Sequence, residues 1–346
     1  MNTFNFIGTI LKKDSLIKIT SNGKKYLKFT IVENENNSAI VQMYGDNLIQ
    51  GAIPVLMNKK NGRNLIKFED RFDKDILRQI SFVSKYIVNE GNGDFEFIWK
   101  DDFMEYVSKI INAMPENTIY EVSGEYNLSF VNGKKYNNFN IKTFRIRNDK
   151  RPELTMSLDL FYDYKGLDQS DKRNKFILNA YIEQYSYANR KREYYPLQVQ
   201  FVTNRFDFKK ATDVDIIIHR RENMNPKKEE GYVKATWECQ YVKGAQLILP
   251  PIETLPKDIQ FEIKNAGRDL KEYMNRIVGE ADEYICLTRP NNTLNQNGQV
   301  YISLNCTNNE FESNINKGNM LLEDDNKNKK TIDDIAKQDA FENPFN

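Results

Sequence analysis

The sequence has 346 residues, 40% of them hydrophobic and a formal net charge of +1, so it is long enough for two folded units with separate cores. The mean hydropathy is −0.69, and no apolar run approaches the ~20 residues of a membrane helix. The first residues lack the basic and apolar regions of a signal peptide, so we expect a cytoplasmic protein with no membrane partner. Three scattered cysteines and one histidine exclude a Cys/His metal site, and with no phosphate-loop motif the sequence predicts no cofactor and no enzyme.

The first predicted elements are three alternating runs of apolar residues. They cover residues 4–10, 26–31 and 40–44, and Asn22-Gly23 lies between the first two. Period-2 alternation around an Asn-Gly turn predicts a strand, a turn and two further strands. Gly8 inside the first strand indicates a bulge or a sharp bend, which a small closed barrel needs.

One helix is predicted next. Asp101 and Asp102 precede a helical pattern of apolar residues that Pro115 ends, and this pattern either closes the first unit or links two units. The apolar positions are Phe103, Met104, Val107, Ile110, Ile111 and Met114.

An internal repeat follows the helix. Asn22-Gly23-Lys24-Lys25-Tyr26 and the five residues after it recur from Asn132, with seven of ten positions identical and Gly124 in the place of Gly8. We interpret the repeat as two copies of one β-unit. The sequence therefore predicts one domain over residues 1–115 and a second over 116–306.

The rest of the chain continues the second unit. Residues 176–201 alternate around a basic turn and predict a closing β-hairpin, although they could also start a third unit, as could the chain from about residue 205. A second helix is predicted over 256–277, flanked by strands at 232–242 and 300–304. Residues 307–346 are rich in Asn, Lys, Asp and Glu, and residues 321–346 carry −3, which predicts a disordered acidic tail.

The repeat places tyrosines beside lysines on the face opposite the apolar one. Exposed rings on which bases stack, next to lysines that neutralise phosphates, are what single-stranded nucleic acid requires. The residues 185–195 form a basic, aromatic finger of the same kind. The predicted nucleic-acid-binding residues are Lys24, Lys25, Tyr26, Lys28, Lys134, Lys135, Tyr136, Tyr185, Tyr187, Arg190, Lys191, Arg192 and Tyr194.

Simpler interpretations stand beside this one. Asn-Gly-Lys-Lys is a good turn sequence in any protein, and a tyrosine that begins a strand often covers the edge of a core. Trp99 and Trp237 lie in contexts typical of buried residues. Asp213, Asp215 and His219 suggest a metal-dependent nuclease, but a strand flanked by solvated acids is the favoured interpretation.

These elements resemble the OB-fold of single-stranded DNA-binding proteins: a strand bent at a glycine, a basic turn, an aromatic strand and a third alternating strand. Asp339 to Asn346 is similar to the acidic tip of the bacterial family, with Phe341, Pro344 and Phe345 as the residues that would bind a partner. The runs 102–107 and 156–161 resemble replication-region proteins of phages that infect low-GC Gram-positive bacteria.

The resemblance implies a mainly β protein with a few helices, two five-stranded OB-like barrels in tandem and a disordered tail. It implies a protein that coats single-stranded DNA during phage replication or recombination in the host cytoplasm and recruits replication proteins through the tail. Stacking and phosphate contacts do not distinguish RNA from DNA. The alternative is a non-catalytic adaptor, in the replisome or the virion, that uses the same barrels to bind proteins.

Overall fold

The computed structural model describes most of the chain. The described residues are 2–11, 15–21, 23–58, 62–131, 134–168, 175–186, 189–203, 206, 209–243, 260, 283–291, 300–304 and 306–316.

The described residues are mainly β. Their strands are β1 (Thr3–Leu11), β2 (Ile17–Ile19), β3 (Lys25–Asn34), β4 (Asn37–Tyr44), β5 (Ala52–Leu56), β6 (Arg63–Lys67), β7 (Tyr86–Asn89), β8 (Asp94–Phe97), β9 (Tyr120–Val131), β10 (Lys134–Ile146), β11 (Glu153–Tyr162), β12 (Lys175–Ser186), β13 (Lys191–Val202), β14 (Val233–Lys243), β15 (Glu283–Pro290) and β16 (Tyr301–Ser303). Their helices are α1 (Lys74–Leu77), α2 (Lys100–Ala113), α3 (Ala211–Asn223) and α4 (Asn308–Ser313). No helix among these residues has the length and apolar character needed to cross a membrane.

The first barrel consists of β1, β3, β4, β10 and β9, in that order around the closed sheet. All neighbours are antiparallel except β4 and β10, which run parallel. Helix α2 lies between the third and fourth strands of this barrel in the sequence, and its buried face packs into the core, as its apolar pattern predicted. Closed five-stranded connectivity of this kind is that of an OB-fold.

The second barrel repeats this connectivity. Strands β11, β12, β13, β15 and β14 close a ring in that order, with β13 and β15 parallel and the other neighbours antiparallel. Helix α3 lies between β13 and β14 in the sequence, as α2 lies between β4 and β9. The prediction of two OB-like five-stranded barrels in tandem is therefore confirmed.

The boundary between the barrels differs from the predicted one. Strands β9 and β10 pair with β1 and β4, so the first barrel runs past residues 115–116 and ends at Ile146. Both copies of the repeat therefore belong to the first barrel, where the second copy supplies its fourth and fifth strands. The period-2 pattern shows which face of a strand is buried, but it does not show which other strand is its neighbour. For this reason the sequence predicted the boundary about thirty residues too early.

The third unit predicted as an alternative from about residue 205 is not formed by the described residues. Strands β14 and β15 pair with β11 and β13 and so complete the second barrel. The hairpin of β12 and β13 contributes the second and third strands of this barrel instead of closing it. The helix predicted over 256–277 lies, apart from Gln260, outside the described residues.

Gly8 and Gly124 allow close approach between strands of the first barrel. A Cβ atom on Gly8 would lie 2.2 Å from the carbonyl oxygen of Val32, and one on Gly124 would lie 2.0 Å from that of Asn140. At Gly8 strand β1 passes from pairing with β9 to pairing with β3. The glycine in the predicted first strand thus marks the position where the barrel bends and closes.

The two barrels share one hydrophobic core. Residues Thr3 to Ile7 of β1 pair with β11 of the second barrel, so the two sheets are continuous. Tyr241 of β14 is buried against Phe6 and Phe139 of the first barrel. The side chain of Asn37 bonds the carbonyl oxygen of Tyr241 and the amide of Lys243, which fixes β4 to β14.

The segment predicted as a tail begins with a folded element. Helix α4 lies within residues 307–316, where Thr307 and Glu310 form a reciprocal capping box. Phe311 of this helix is buried on the second barrel. Residues 317–346, which include Phe341, Pro344 and Phe345 of the predicted partner-binding tip, lie outside the described residues.

Candidate nucleic-acid interface

The first copy of the repeat lies between the first and second long strands of the first barrel. Lys24 is exposed in the turn, and Lys25, Tyr26 and Lys28 follow on β3. Tyr26 and Lys28 alternate with buried Leu27 and Phe29, so they belong to the outer face, as the sequence predicted.

The second copy lies at the turn between the fourth and fifth strands of the same barrel. Lys135 is exposed, and Tyr136 is 46% exposed at the start of β10. The side chain of Lys134 is outside the described part of the structure. In OB-folds, the loop after the first strand and the loop between the fourth and fifth strands are the ones that bind oligonucleotides, and each carries one copy here.

The outer face of β3, β4 and β10 connects the two copies. We call this surface the polar-aromatic face, and its residues are Tyr26, Lys28, Gln42, Tyr44, Tyr136 and Asn138. Strand β4 lies between β3 and β10, and the register places Tyr26 opposite Tyr44 at one end of the face and Tyr136 near its other end. The face therefore presents aromatic and polar groups across three neighbouring strands.

A stacked tyrosine pair lies on this face. Tyr26 and Tyr44 are directly opposite on β3 and β4, with ring centroids 5.8 Å apart and 27° between the ring planes. Partial burial, together with the neighbouring Tyr26, raises the pKa of Tyr44 to about 12, so its hydroxyl remains a hydrogen-bond donor at neutral pH. Sequence reasoning did not select Tyr44, although its alternation with buried Met43 places it on the outer face.

Amide side chains hold the middle of the face in place. Gln42 donates from Nε2 to Oδ1 of Asn138 at 3.1 Å, and Asn138 donates from Nδ2 to Oγ of Ser129 at 2.8 Å. These bonds run from β4 across β10 to β9. They fix the amide groups between Tyr44 and Tyr136, where polar contacts to a bound strand would be made.

Acidic residues of α2 lie next to the first copy. Lys25 forms an ion pair with Glu105, and the hydrogen bond to that carboxylate raises the pKa of the lysine. Asp101, whose pKa is raised by burial, and Asp102 also act on Lys25 through their charges. The charge of Lys25, which the sequence pattern assigned to binding nucleic acid, is thus partly neutralised by acidic residues of the protein itself.

The predicted finger is the hairpin of β12 and β13 on the second barrel. Tyr185 is 51% exposed at the end of β12, while Arg190, with φ 51°, lies in the turn. Arg192 pairs with Glu183, and Lys191 donates to Oδ1 of Asn314 at 3.2 Å. Tyr187 lies in the undescribed part of the turn.

The base of the finger is fixed to the first barrel beside the second copy of the repeat. Gln184 accepts a hydrogen bond from the amide of Leu128 at 2.9 Å and donates one to the carbonyl oxygen of Leu128 at 2.8 Å. Phe130 and Tyr195 stack with centroids 6.5 Å apart. Since β9 also pairs with β10, the finger adjoins the Tyr136 end of the polar-aromatic face.

Tyr194, the last predicted residue of the finger, is placed differently. Its ring is partly buried in an aromatic cluster with Phe161 and Phe311 on the outer side of the second barrel. Tyr181 and Tyr232 belong to the same cluster. No local sequence pattern indicates this cluster, because its five members come from β11, β12, β13, the residue before β14, and α4.

Other candidates from the sequence do not form a site. Trp99 and Trp237 are buried, as predicted. Asp213, Asp215 and His219 lie on α3, so the prediction of a strand there was wrong. A short apolar run fits the helical period of 3.6 residues and the strand period of two equally well, and periodicity alone could not decide between them. Within the described ranges, no three His, Cys, Asp or Glu side chains are grouped as a metal ion would require.

Similarity to known proteins is found among solved structures. No family model matches the sequence, and no curated protein matches it. Among solved structures, the wild-type single-stranded DNA binding protein from Thermus aquaticus has a TM-score of 0.31 and 8% identity, over 70% of this chain and 85% of that chain. A deletion mutant of the same protein gives a TM-score of 0.30 and 9% identity, over 70% of this chain and 87% of that chain.

Proposed function

We propose that this protein binds single-stranded nucleic acid on the polar-aromatic face and carries out no catalysis. The observation that carries the proposal is that both Lys-Lys-Tyr copies meet on one OB barrel, at the two loops that bind oligonucleotides in this fold. Tyr26 of the first copy stacks on Tyr44 of β4 on the same face. Bases stack on such rings without regard to sequence, and lysines at the loops neutralise phosphates.

The biological role that fits this binding is coating of single-stranded DNA during replication or recombination, such as that of a phage in the cytoplasm of its host. A bound strand would run from the first copy across β4 to Tyr136 and on to the finger. The C-terminal tip with Phe341, Pro344 and Phe345 would then recruit replication proteins.

The first experiment measures binding of fluorescently labelled dT oligomers of several lengths by anisotropy, at low and moderate salt, with duplex DNA and U oligomers as competitors. We expect tight binding to dT that weakens steeply with salt, because phosphate contacts release counterions. Competition by U oligomers would show that RNA is also a ligand. Absence of dT binding at low salt would overturn the proposal.

The tyrosines are tested by substitution. Tyr26→Ala with Tyr136→Ala should cost about 1–3 kcal/mol of binding free energy for each lost stacking contact. Phe82→Ala is the matched control, because Phe82 is an aromatic residue 68% exposed outside this face and should leave dT binding unchanged. Wild-type affinity in the double variant would show that the face is the wrong one.

A second candidate function is that of an adaptor that binds proteins. The observation that favours it is a set of exposed apolar side chains between β4 and α2, namely Leu65, Phe72, Phe82 and Val83. Where exposed apolar side chains form a contiguous patch, they often mark a protein contact. If the protein is such an adaptor, the wild-type chain should not bind dT oligomers. The Phe82→Ala variant should then recover less of a replisome or virion protein that co-purifies with the wild type.

A further inference from the structure

Phe311 of α4 occupies an aromatic slot on the second barrel. Its ring is stacked between Tyr194 and Tyr232, with centroid distances of 3.9 Å on both sides and interplanar angles of 22° and 16°. Tyr181 meets it edge-on at 5.7 Å, and Phe161 lies 6.2 Å away. We call these four residues (Phe161, Tyr181, Tyr194 and Tyr232) the aromatic cage.

The cage is on the surface of the second barrel that corresponds to the polar-aromatic face of the first. Tyr181 and Tyr194 lie on the second and third strands of their barrel, β12 and β13, as Tyr26 and Tyr44 lie on β3 and β4. Both tyrosines alternate with buried core residues and therefore face outward. Helix α4 does not cover this face in the first barrel. In the second barrel it does, and the Phe311 side chain is only 1% exposed there.

Residues 308–316, which contain α4, are attached beside the cage by hydrogen bonds to β13. Tyr194 donates its amide to the carbonyl oxygen of Asn314 at 2.9 Å and accepts at its own carbonyl from the amide of Asn316 at 2.9 Å. The Asn316 side chain donates to buried Glu193 at 3.0 Å. These residues follow every strand of the barrel, and a six-residue helix has little stability of its own, so the segment can leave without breaking the barrel.

The geometry inside the cage is that of a bound base. A flat ring held between two aromatic rings at 3.9 Å is the arrangement in which single-stranded nucleic acid is bound by stacking. A cation lies at the rim: Lys234 has its Nζ 5.7 Å from the Phe161 centroid and is oriented by Asp159 at 2.8 Å. Glu312 of the segment acts through its negative charge on Tyr181 and Tyr232, at a position where a phosphate would act in the same way.

We propose that the aromatic cage is a nucleobase site of the second barrel, and that residues 308–316 occupy it as an internal competitor of single-stranded nucleic acid. This inference rests on the proposed function. Short oligomers bind the first barrel, and longer ones displace Phe311 and engage the second barrel as well. The apparent affinity of the second barrel equals its intrinsic affinity multiplied by the fraction of molecules in which the segment has left the cage.

Hydrogen exchange on the full chain tests the competition directly. Amide exchange is followed in peptides covering 308–316 and β3–β4, with no DNA, with a short dT oligomer and with a long one. We expect the short oligomer to protect β3–β4 alone, and the long one to increase exchange in 308–316. Unchanged protection of 308–316 at saturating long dT, with β3–β4 protected, would overturn this inference alone. No protection of β3–β4 by either oligomer would overturn the proposed function.

The Phe311→Ala variant supplies a second readout. Loss of the competing ring should raise affinity for long dT about tenfold, in line with one stacking contact, and leave short dT unchanged. Adding Tyr194→Ala should remove the gain. If Phe311 has only a structural role, Phe311→Ala lowers the melting temperature with no gain in affinity for long dT, which contradicts the inference.

Discussion

The ring of Tyr241 in the second barrel lies 4.9 Å from the ring of Phe139 in the first, at an interplanar angle of 77°. This edge-to-face contact is buried, and Phe6 joins it from β1. Because β1 also pairs with β11, the two barrels are connected by both backbone bonds and side-chain packing. A pair of barrels joined in this way should unfold together.

Tyr241→Ala should therefore destabilise both barrels at once. Removal of a large buried aromatic side chain costs about 3–5 kcal/mol, and the loss should appear as one cooperative transition shifted to lower denaturant. Chemical unfolding followed by circular dichroism and by tryptophan fluorescence measures it. Tyr136→Ala, an exposed tyrosine of the first barrel, is the control and should change stability by less than about 0.5 kcal/mol. Two separate transitions in the Tyr241 variant would contradict a shared core.

Gly124→Ala should distort the first barrel. The added Cβ would meet the backbone carbonyl of Asn140, which a side-chain rotation cannot relieve, so we expect a loss of about 3 kcal/mol in the free energy of unfolding. Ser123→Ala on the same strand is the control and should be nearly neutral. Equal stability of the two variants would show that β9 and β10 do not approach as closely as described.

Removal of the acid beside Lys25 should strengthen nucleic-acid binding. Glu105→Gln releases Lys25 from its ion pair, so one more cation can contact a phosphate. The slope of log affinity against log salt should become steeper by about 0.7, the value for one phosphate on a single strand. Lys25→Gln should give the opposite change in affinity. If Glu105→Gln left both affinity and slope unaltered, Lys25 would not contact the strand.

Asp159 should make stability depend on pH in the acid range. Burial opposes its ionisation, but bonds from Lys234 and Thr236 outweigh this and lower its pKa from 3.8 to about 2. The stabilisation is therefore present above about pH 3.8 and is lost as the pH falls through 2. Asp159→Asn should cost about 1 kcal/mol at pH 7, after allowance for solvent screening, and this difference should shrink below pH 3.8.

Urea unfolding of both proteins between pH 2 and 7 provides the measurement. Asp75→Asn is the control, since Asp75 is exposed and its ion pair with Arg78 lies in solvent, so its effect should be the same across the range. A constant difference for Asp159→Asn across the range would show that its carboxylate is not stabilised by β14.

The sequence by itself determined much of the local structure, although the strand it predicted around Asp215 is the helix α3. Alternation of apolar residues predicted β1, β3, β4 and the hairpin of β12 and β13, and the apolar spacing predicted α2 with its end near Pro115. It also determined the outward face of Tyr26 and Tyr136, because side-chain direction along a strand follows from the position of the core residues on either side.

Only the tertiary structure decided which strands close each barrel. Parallel pairing of β10 with β4 joins Phe139 to Val41 across almost a hundred residues, and no local pattern specifies such a partner. Because of this pairing, the first barrel ends later than the sequence predicted, and both copies of the repeat lie on one surface. The cage around Phe311 has the same origin, since Phe161, Tyr181, Tyr194 and Tyr232 meet only when the second barrel has closed. Side-chain period is a property of one strand, whereas pairing depends on the shared core that all the strands bury together.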